Sequence, residues 1–239
     1  MLEPDPSRTE LARAPRRSSI TWAVRAPLAA WLRTEAARAA ADLGRYRVLD
    51  VGCGFRPYEP FFRPHASEYV GVDRDNPAAD LQGTVEALPV ADGSFDVVLC
   101  TQVLEHADDP AAAVRELARV VAPGGRVLAS THGTAVYHPA PNDYWRWTHT
   151  GLEQLFTRNA DWSGVTVQPG AGTAACLALL LGTYVDLAAQ KVHARPLGYP
   201  FVWTLNGAGA LIDGLSRRLR EPVPGTIFAN FHVVADAPS

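Results

Sequence analysis

The chain has 239 residues, 47% of them hydrophobic and 20% charged, which excludes a collagenous, disordered or mini-protein reading and suits one generous domain. Its 22 basic residues stand against 25 acidic ones, a formal net charge of −3 with histidine neutral, so nothing in the overall charge calls for nucleic acid or anionic lipid. Three widely spaced cysteines, Cys53, Cys100 and Cys176, form no C-x-x-C pair; they argue against a disulfide scaffold or zinc site and for a reducing, cytoplasmic setting.

Residues before about 18 are rich in Pro, Arg and Ser and are expected to be disordered or loosely packed. Arg16-Arg17 suggests a twin-arginine signal, but the apolar stretch behind it stops at Arg25, too short for a signal core, so export is not expected. Residues 28–43 are strongly helix-forming, with Leu28, Trp31, Leu32 and Ala36 on one face and Gly44 as the stop. Residues 46–51 read as a buried strand leading into Gly52-Cys53-Gly54, and residues 69–73 as a second strand ending in an acid. A weak third strand is expected near Leu81, and a fourth over 95–100, opened by the turn Ala91-Asp92-Gly93-Ser94. Asp109-Pro110 starts a helix over 111–121, with proline in the first turn, and Pro123-Gly124-Gly125 closes it before a fifth strand at 126–130. Thr150-x-x-Glu153 forms a capping box for a helix to about 158, and residues 165–167 and 227–234 read as the last strands.

Short apolar strands alternating with helices mean parallel pairing through crossovers, hence a doubly wound α/β sheet whose ligand sits beyond the strands' carboxyl ends. Three units follow: an N-terminal tail and cap helix (1–44), a core (45–169 with 226–239), and an apolar helical insertion (170–225), which is too long for a loop. The uncharged runs 173–185 and 196–212 are each shorter than the ~20 apolar residues that span a bilayer. The insertion is therefore expected to be a lid, a homodimer interface or a membrane contact that does not span.

Asp50-Val51-Gly52-Cys53-Gly54 carries the chemistry. Its glycines let the backbone approach a ligand, and Asp73 follows about 20 residues on, as a nucleoside site requires. A dinucleotide fits poorly. Pro57 stands where the third glycine of G-x-G-x-x-G belongs, and Asp50 would meet a pyrophosphate with like charge. A carboxylate there suits a ligand carrying an ammonium and a sulfonium, which favours S-adenosylmethionine over NAD.

The segments V-L-D-V-G-C-G (48–54), Y-V-G-V-D (69–73), E-A-L-P-V-A-D-G-S-F-D-V-V (86–98), V-L-E-H-A-D-D-P (103–110) and A-P-G-G-R-V-L (122–128) keep order and spacing. Together they resemble class I S-adenosylmethionine-dependent methyltransferases, type 11, over about residues 45–130 and more weakly to 156. The resemblance implies a Rossmann-like, seven-stranded sheet with its last strand antiparallel; the N-terminal helical cap and the helical insertion before that last strand are read from the chain itself. It implies that Asp50, Gly52, Cys53 and Gly54 line the methionine part of the cofactor and that Asp73 accepts from both ribose hydroxyls. Thr84 replaces the acid that usually meets the adenine amino group, leaving the backbone N–H of Val85, while Thr101, Gln102 and His106 border the sulfonium. Relatives with E-x-x-E-H here bind a divalent metal; Gln102 takes the first acid's place, leaving Glu105 and His106, and no metal is expected even with His132 near.

On the acceptor side a methyltransferase must orient a nucleophile and remove a proton from a hydroxyl. The candidate bases after the fifth strand are His132, first by position, then His138, Asp143 and Tyr144. The stretch 142–148 is unusually aromatic: Arg146 is a candidate clamp for a phosphate or carboxylate, and Trp145 a candidate stacking platform, or else the tryptophans simply pack the next helix. Ile20-Thr21-Trp22 and the insertion flank one sheet edge, with Trp22 as a candidate wall of the substrate site. The expected activity is methyl transfer to a small-molecule acceptor, a hydroxyl of a sugar, lipid-linked or natural-product substrate. A cofactor-binding scaffold without catalysis and an NAD-dependent oxidoreductase are the alternatives.

Overall fold

The computed structural model describes residues 6–139 and 142–239. The elements in chain order are α1 (Pro6–Arg13), α2 (Trp22–Leu43), β1 (Tyr46–Val51), α3 (Glu59–Phe62), β2 (Ala66–Asp73), β3 (Leu81–Gln82) and β4 (Phe95–Thr101). They continue with α4 (Pro110–Val120), β5 (Val121–His132), α5 (His149–Asn159), β6 (Gly164–Pro169), α6 (Thr173–Lys191), α7 (Arg195–Leu215) and β7 (Asn230–Asp236).

The strands form one seven-stranded sheet in the order β3-β2-β1-β4-β5-β7-β6. β1 to β5 run parallel, and β7 is antiparallel to both β5 and β6. The strand order reverses between β1 and β4, which sets the ligand crevice beyond their carboxyl ends. Adjacent residues on the central strands serve opposite layers. Val48, Val97, Leu99 and Leu128 pack with Leu28, Trp31, Leu32 and Phe62 under α2 and α3. Leu49, Val98, Cys100 and Ala129 pack with Val114, Leu117, Leu152 and Phe156 under α4 and α5. Burial on both faces is why these strands read as continuous apolar runs.

Several boundaries differ from the sequence reading. α1 forms within the stretch expected to be loose, and Ala12 is buried. α2 begins six residues before the expected start and passes through Pro27. Proline disfavours a helical predecessor, but Ala23 and Val24 are buried against Ala175, Cys176 and Leu179, and that packing holds the extra turns. β5 starts at Val121, pairs with Phe95, and shifts register before Arg126; Pro123-Gly124-Gly125 lies inside the strand as an irregularity, not ahead of it. The cap of α5 is Thr148, whose side chain accepts from the Gly151 N–H at 3.1 Å, so the box at Thr150 is not the start signal.

The insertion is an antiparallel helical pair, α6 and α7. Asp213 of α7 closes the α6 N-terminus by accepting from the N–H groups of Ala174 and Ala175 at 2.9 Å each. Asn206 of α7 donates to the carbonyls of Arg17 and Ser19, at 2.7 and 2.9 Å, and ties down the segment before α2. α6 is longer than its uncharged run, and by length and composition alone it is long and apolar enough to cross a membrane; 39% of that window is buried in the fold.

Candidate active site

A cavity of about 860 Å³ opens at the carboxyl ends of β1, β2, β4 and β5. Asp50, the penultimate residue of β1, is buried by the sheet; the Tyr69 hydroxyl donates to its Oδ2 at 2.7 Å. Burial pushes the Asp50 carboxyl up to about 7, against the opposing pull of Tyr69. The next turn needs glycine. Gly52 has φ 65°, and a Cβ there would sit 2.4 Å from Cγ2 of Val103 in the loop after β4. Gly54, at φ 49°, has nothing within 4 Å of where its Cβ would be, so backbone faces open space. A buried carboxylate beside bare backbone fits a ligand with an ammonium group, and the site passes that test for S-adenosylmethionine.

Asp73, at the end of β2, accepts from Gly54 N–H on Oδ2 and from Asp75 and Asn76 N–H on Oδ1, each at 2.9 Å. Of the ~four acceptor positions of a carboxylate, three are thus filled. Room for about one further donor remains, not for both ribose hydroxyls at full strength. Gln102 adopts φ 59° and turns its amide to Ser130 and Asn230, at 3.1 and 2.9 Å, so its side chain ties β4 to β5 and β7 while its backbone borders the cavity. Asp50, Gly52, Cys53, Gly54, Asp73, Thr84, Val85, Thr101, Gln102 and His106 all line this one cavity, as does His132.

His132, the last residue of β5, is mostly buried, with Nε2 at 3.6 Å from Oε1 of Glu105. Glu105 is wholly enclosed; Thr131 donates to its Oε2 at 2.8 Å, leaving Oε1 without a hydrogen bond among the described residues. Burial pushes Glu105 up to about 7 and His132 down to about 4, so the imidazole is neutral at neutral pH. His132 Nε2 stands beyond hydrogen-bond reach of Oε1, and Nδ1 is enclosed with no hydrogen-bond partner among the described residues.

The aromatic stretch after β5 sits elsewhere. Trp22, Asp143, Tyr144, Trp145 and Arg146 lie outside the cavity lining. Arg146 forks onto both oxygens of Asp143 and onto the carbonyls of Val136 and Trp145, so its donors close a loop and are not free to clamp a ligand. That pairing holds Asp143 down at about 2, too acidic for a base. Trp145 donates to the Ala107 carbonyl at 2.8 Å and stacks on Trp147, which packs on the core, the structural alternative for both tryptophans. Tyr144 is exposed. Trp22 lies under the guanidinium of Arg17, and the cavity wall is formed instead by its neighbours Ile20, Thr21, Val24 and Leu28. His106, His138 and Asp143 approach closely enough to hold a cation, but the Arg146 guanidinium already occupies Asp143.

The sequence groups Glu105, His106 and His132 only as a broken metal motif; the fold sets Glu105 beside His132, 27 positions away in sequence, as an enclosed carboxyl next to an imidazole. Leu179 and Thr183 of α6 line the cavity, which no local pattern announces.

A family model described as a methyltransferase domain matches residues 16–160. An uncharacterized methyltransferase, YcgJ, of Bacillus subtilis is 35% identical over 41% of this chain and 43% of its own length. A ubiquinone biosynthesis O-methyltransferase of Ralstonia nicotianae is 37% identical over 42% of this chain and 49% of its own. The match thus spans less than half of either relative. A putative methyltransferase from Bacillus halodurans has a similar fold, with TM-score 0.53 and 16% identity over 87% of this chain and 99% of that one.

Proposed function

The chain belongs to the methyltransferase domain family, and from that membership we propose that it moves a methyl group from S-adenosylmethionine to an oxygen of a small-molecule acceptor. The observation that supports this best is a shared cavity: the carboxylate-and-glycine turn after β1 and the neutral His132 after β5 open into the same space. When bound, S-adenosylmethionine supplies a methyl group already activated by its sulfonium. Asp50 offers negative charge to an ammonium, Gly52 and Gly54 let backbone come close, and Asp73 keeps one acceptor position for the ribose. His132 takes the acceptor's proton, and the Glu105 carboxylate beside it offsets the charge the imidazole gains, a contribution of roughly 10²–10⁴ in rate. Ile20, Val24, Leu28 and Leu179 form an apolar wall that keeps water from the reacting atoms.

An oxygen acceptor on a sugar, lipid-linked or natural-product molecule is the substrate class of this reading. The O-methyltransferase name of the Ralstonia relative supports the oxygen, and the apolar wall supports a partly greasy acceptor. A cytoplasmic location belongs to the same reading, supported by three free, buried cysteines. The experiment is transfer of labelled methyl from S-adenosylmethionine into a cell extract, with wild-type protein and His132→Gln. Label in an extractable small molecule, lost by at least about a hundredfold in His132→Gln, is expected. Cofactor binding with no transfer in any fraction would instead identify a scaffold.

A further inference from the structure

The insertion presents far more apolar surface than the methyl-transfer site uses. Leu177, Leu181 and Tyr184 recur at helical spacing along the exposed side of α6, as do Leu197, Phe201 and Leu211 along α7. Leu197 is 72% exposed, and Leu215 at the end of α7 is 80% exposed. Exposed apolar area on this scale marks a contact surface.

The charges around it choose the partner. The insertion, residues 170–225, holds five basic and three acidic residues, a net of +2, within a chain of net −3. Each acid is already engaged: Asp186 pairs with Arg195 and Gln190, Asp213 caps α6, and Glu221 pairs with Arg217. No acidic side chain is exposed on either helix. Lys191 ends α6, while Arg218 and Arg220 follow α7 at the opposite end of the pair, all three exposed. The apolar stripes therefore run between two basic ends. A second copy docked by a two-fold axis would set like charge against like charge in either orientation, whereas an anionic bilayer complements both the stripes and their ends.

We propose that the outward face of the α6–α7 pair docks on the surface of an anionic lipid bilayer, lying in its interface and not crossing it. The reverse side of α6 carries Leu179 and Thr183 into the wall of the site, so the docked face and the cavity share one helix. The acceptor is then an amphiphile taken from that surface, a consequence that rests on the methyl-transfer reading, whereas the docking itself does not.

The test is co-sedimentation of the full chain with vesicles of phosphatidylcholine and phosphatidylglycerol in equal parts, and with phosphatidylcholine alone. Solution mass by light scattering and S-adenosylhomocysteine binding are measured alongside. A monomer that binds the mixed vesicles, releases at high salt and binds phosphatidylcholine weakly is expected. Basic residues near an anionic surface contribute about fivefold apiece, so the triple variant Lys191→Gln, Arg218→Gln, Arg220→Gln should bind roughly a hundredfold more weakly. Phe201→Glu with Leu211→Glu should abolish binding while S-adenosylhomocysteine affinity stays unchanged, which excludes misfolding. No vesicle binding, equal binding to both compositions, or a solution dimer that the Phe201→Glu, Leu211→Glu variant splits would each overturn the proposal. Docking without methyl transfer would leave it standing and count against the catalytic reading alone.

Discussion

Replacing Glu105 by glutamine separates stability from catalysis at one atom. In the wild type the carboxyl is enclosed, and burial lifts it from 4.5 to about 7. At about 1.4 kcal/mol per pH unit, that gap is worth roughly 3 kcal/mol against the folded state once the unfolded chain's glutamate is fully ionised. The sign follows from proton uptake. A raised carboxyl binds more protons in the folded state, so its contribution is intact below about 4.5 and is lost as pH climbs through about 7. The amide of the Glu105→Gln variant keeps an oxygen for the Thr131 hydroxyl and does not titrate. Denaturant unfolding should therefore show the variant gaining on the wild type as pH rises from about 5 to 8, by up to about 3 kcal/mol. Catalysis should move the other way. The neutral amide no longer offsets the charge His132 gains on taking a proton, so kcat should fall at least about tenfold with little change in cofactor affinity. A variant that is stabilised yet fully active would refute the assigned role of the pair. A variant destabilised at every pH would refute the enclosed-carboxyl electrostatics.

Gly52→Ala places a methyl 2.4 Å from Val103 at φ 65°; at least about tenfold weaker S-adenosylhomocysteine binding by calorimetry is expected, and unchanged affinity would deny that this turn is the cradle. Asn206→Ala frees the carbonyls of Arg17 and Ser19 and should cost about 1–3 kcal/mol, with hydrogen exchange rising in residues 17–21; an unaltered exchange pattern would mean the segment is held by other contacts. Arg146→Ala opens the loop after β5 and should raise its protease sensitivity without a selective loss of acceptor binding. A rise in acceptor KM alone would restore the residue as a clamp.

The parallel core was legible because strands buried on both faces show it residue by residue, as in Val48-Leu49 and Val97-Val98. The turn after β1 was legible because it is local: strand, acid and glycines are contiguous. What failed was long-range or competitive. Pro27 argues locally for a helix boundary, but the burial of Ala23 and Val24 against α6 overrides it. Thr150 and Thr148 are both plausible caps by spacing, and only the Gly151 N–H decides. Arg146 looked like a ligand clamp because its residue type suits one; its pairing three positions back with Asp143 leaves it internal. Glu105 and His132 meet through sheet geometry, which no spacing rule reports.

The most direct single measurement is calorimetric titration of S-adenosylmethionine into the wild type and Asp50→Asn between about pH 6 and 8, with NAD as the competing ligand. Because burial holds Asp50 near 7 until a cation arrives, wild-type affinity should strengthen with rising pH and level off above about 7, with proton release. Asp50→Asn should remove that dependence and weaken binding by about 1.5–3 kcal/mol, the scale of a charge-assisted hydrogen bond. Equal affinity of both proteins for S-adenosylmethionine, or preferential capture of NAD by the wild type, would contradict a turn built for a cationic nucleoside.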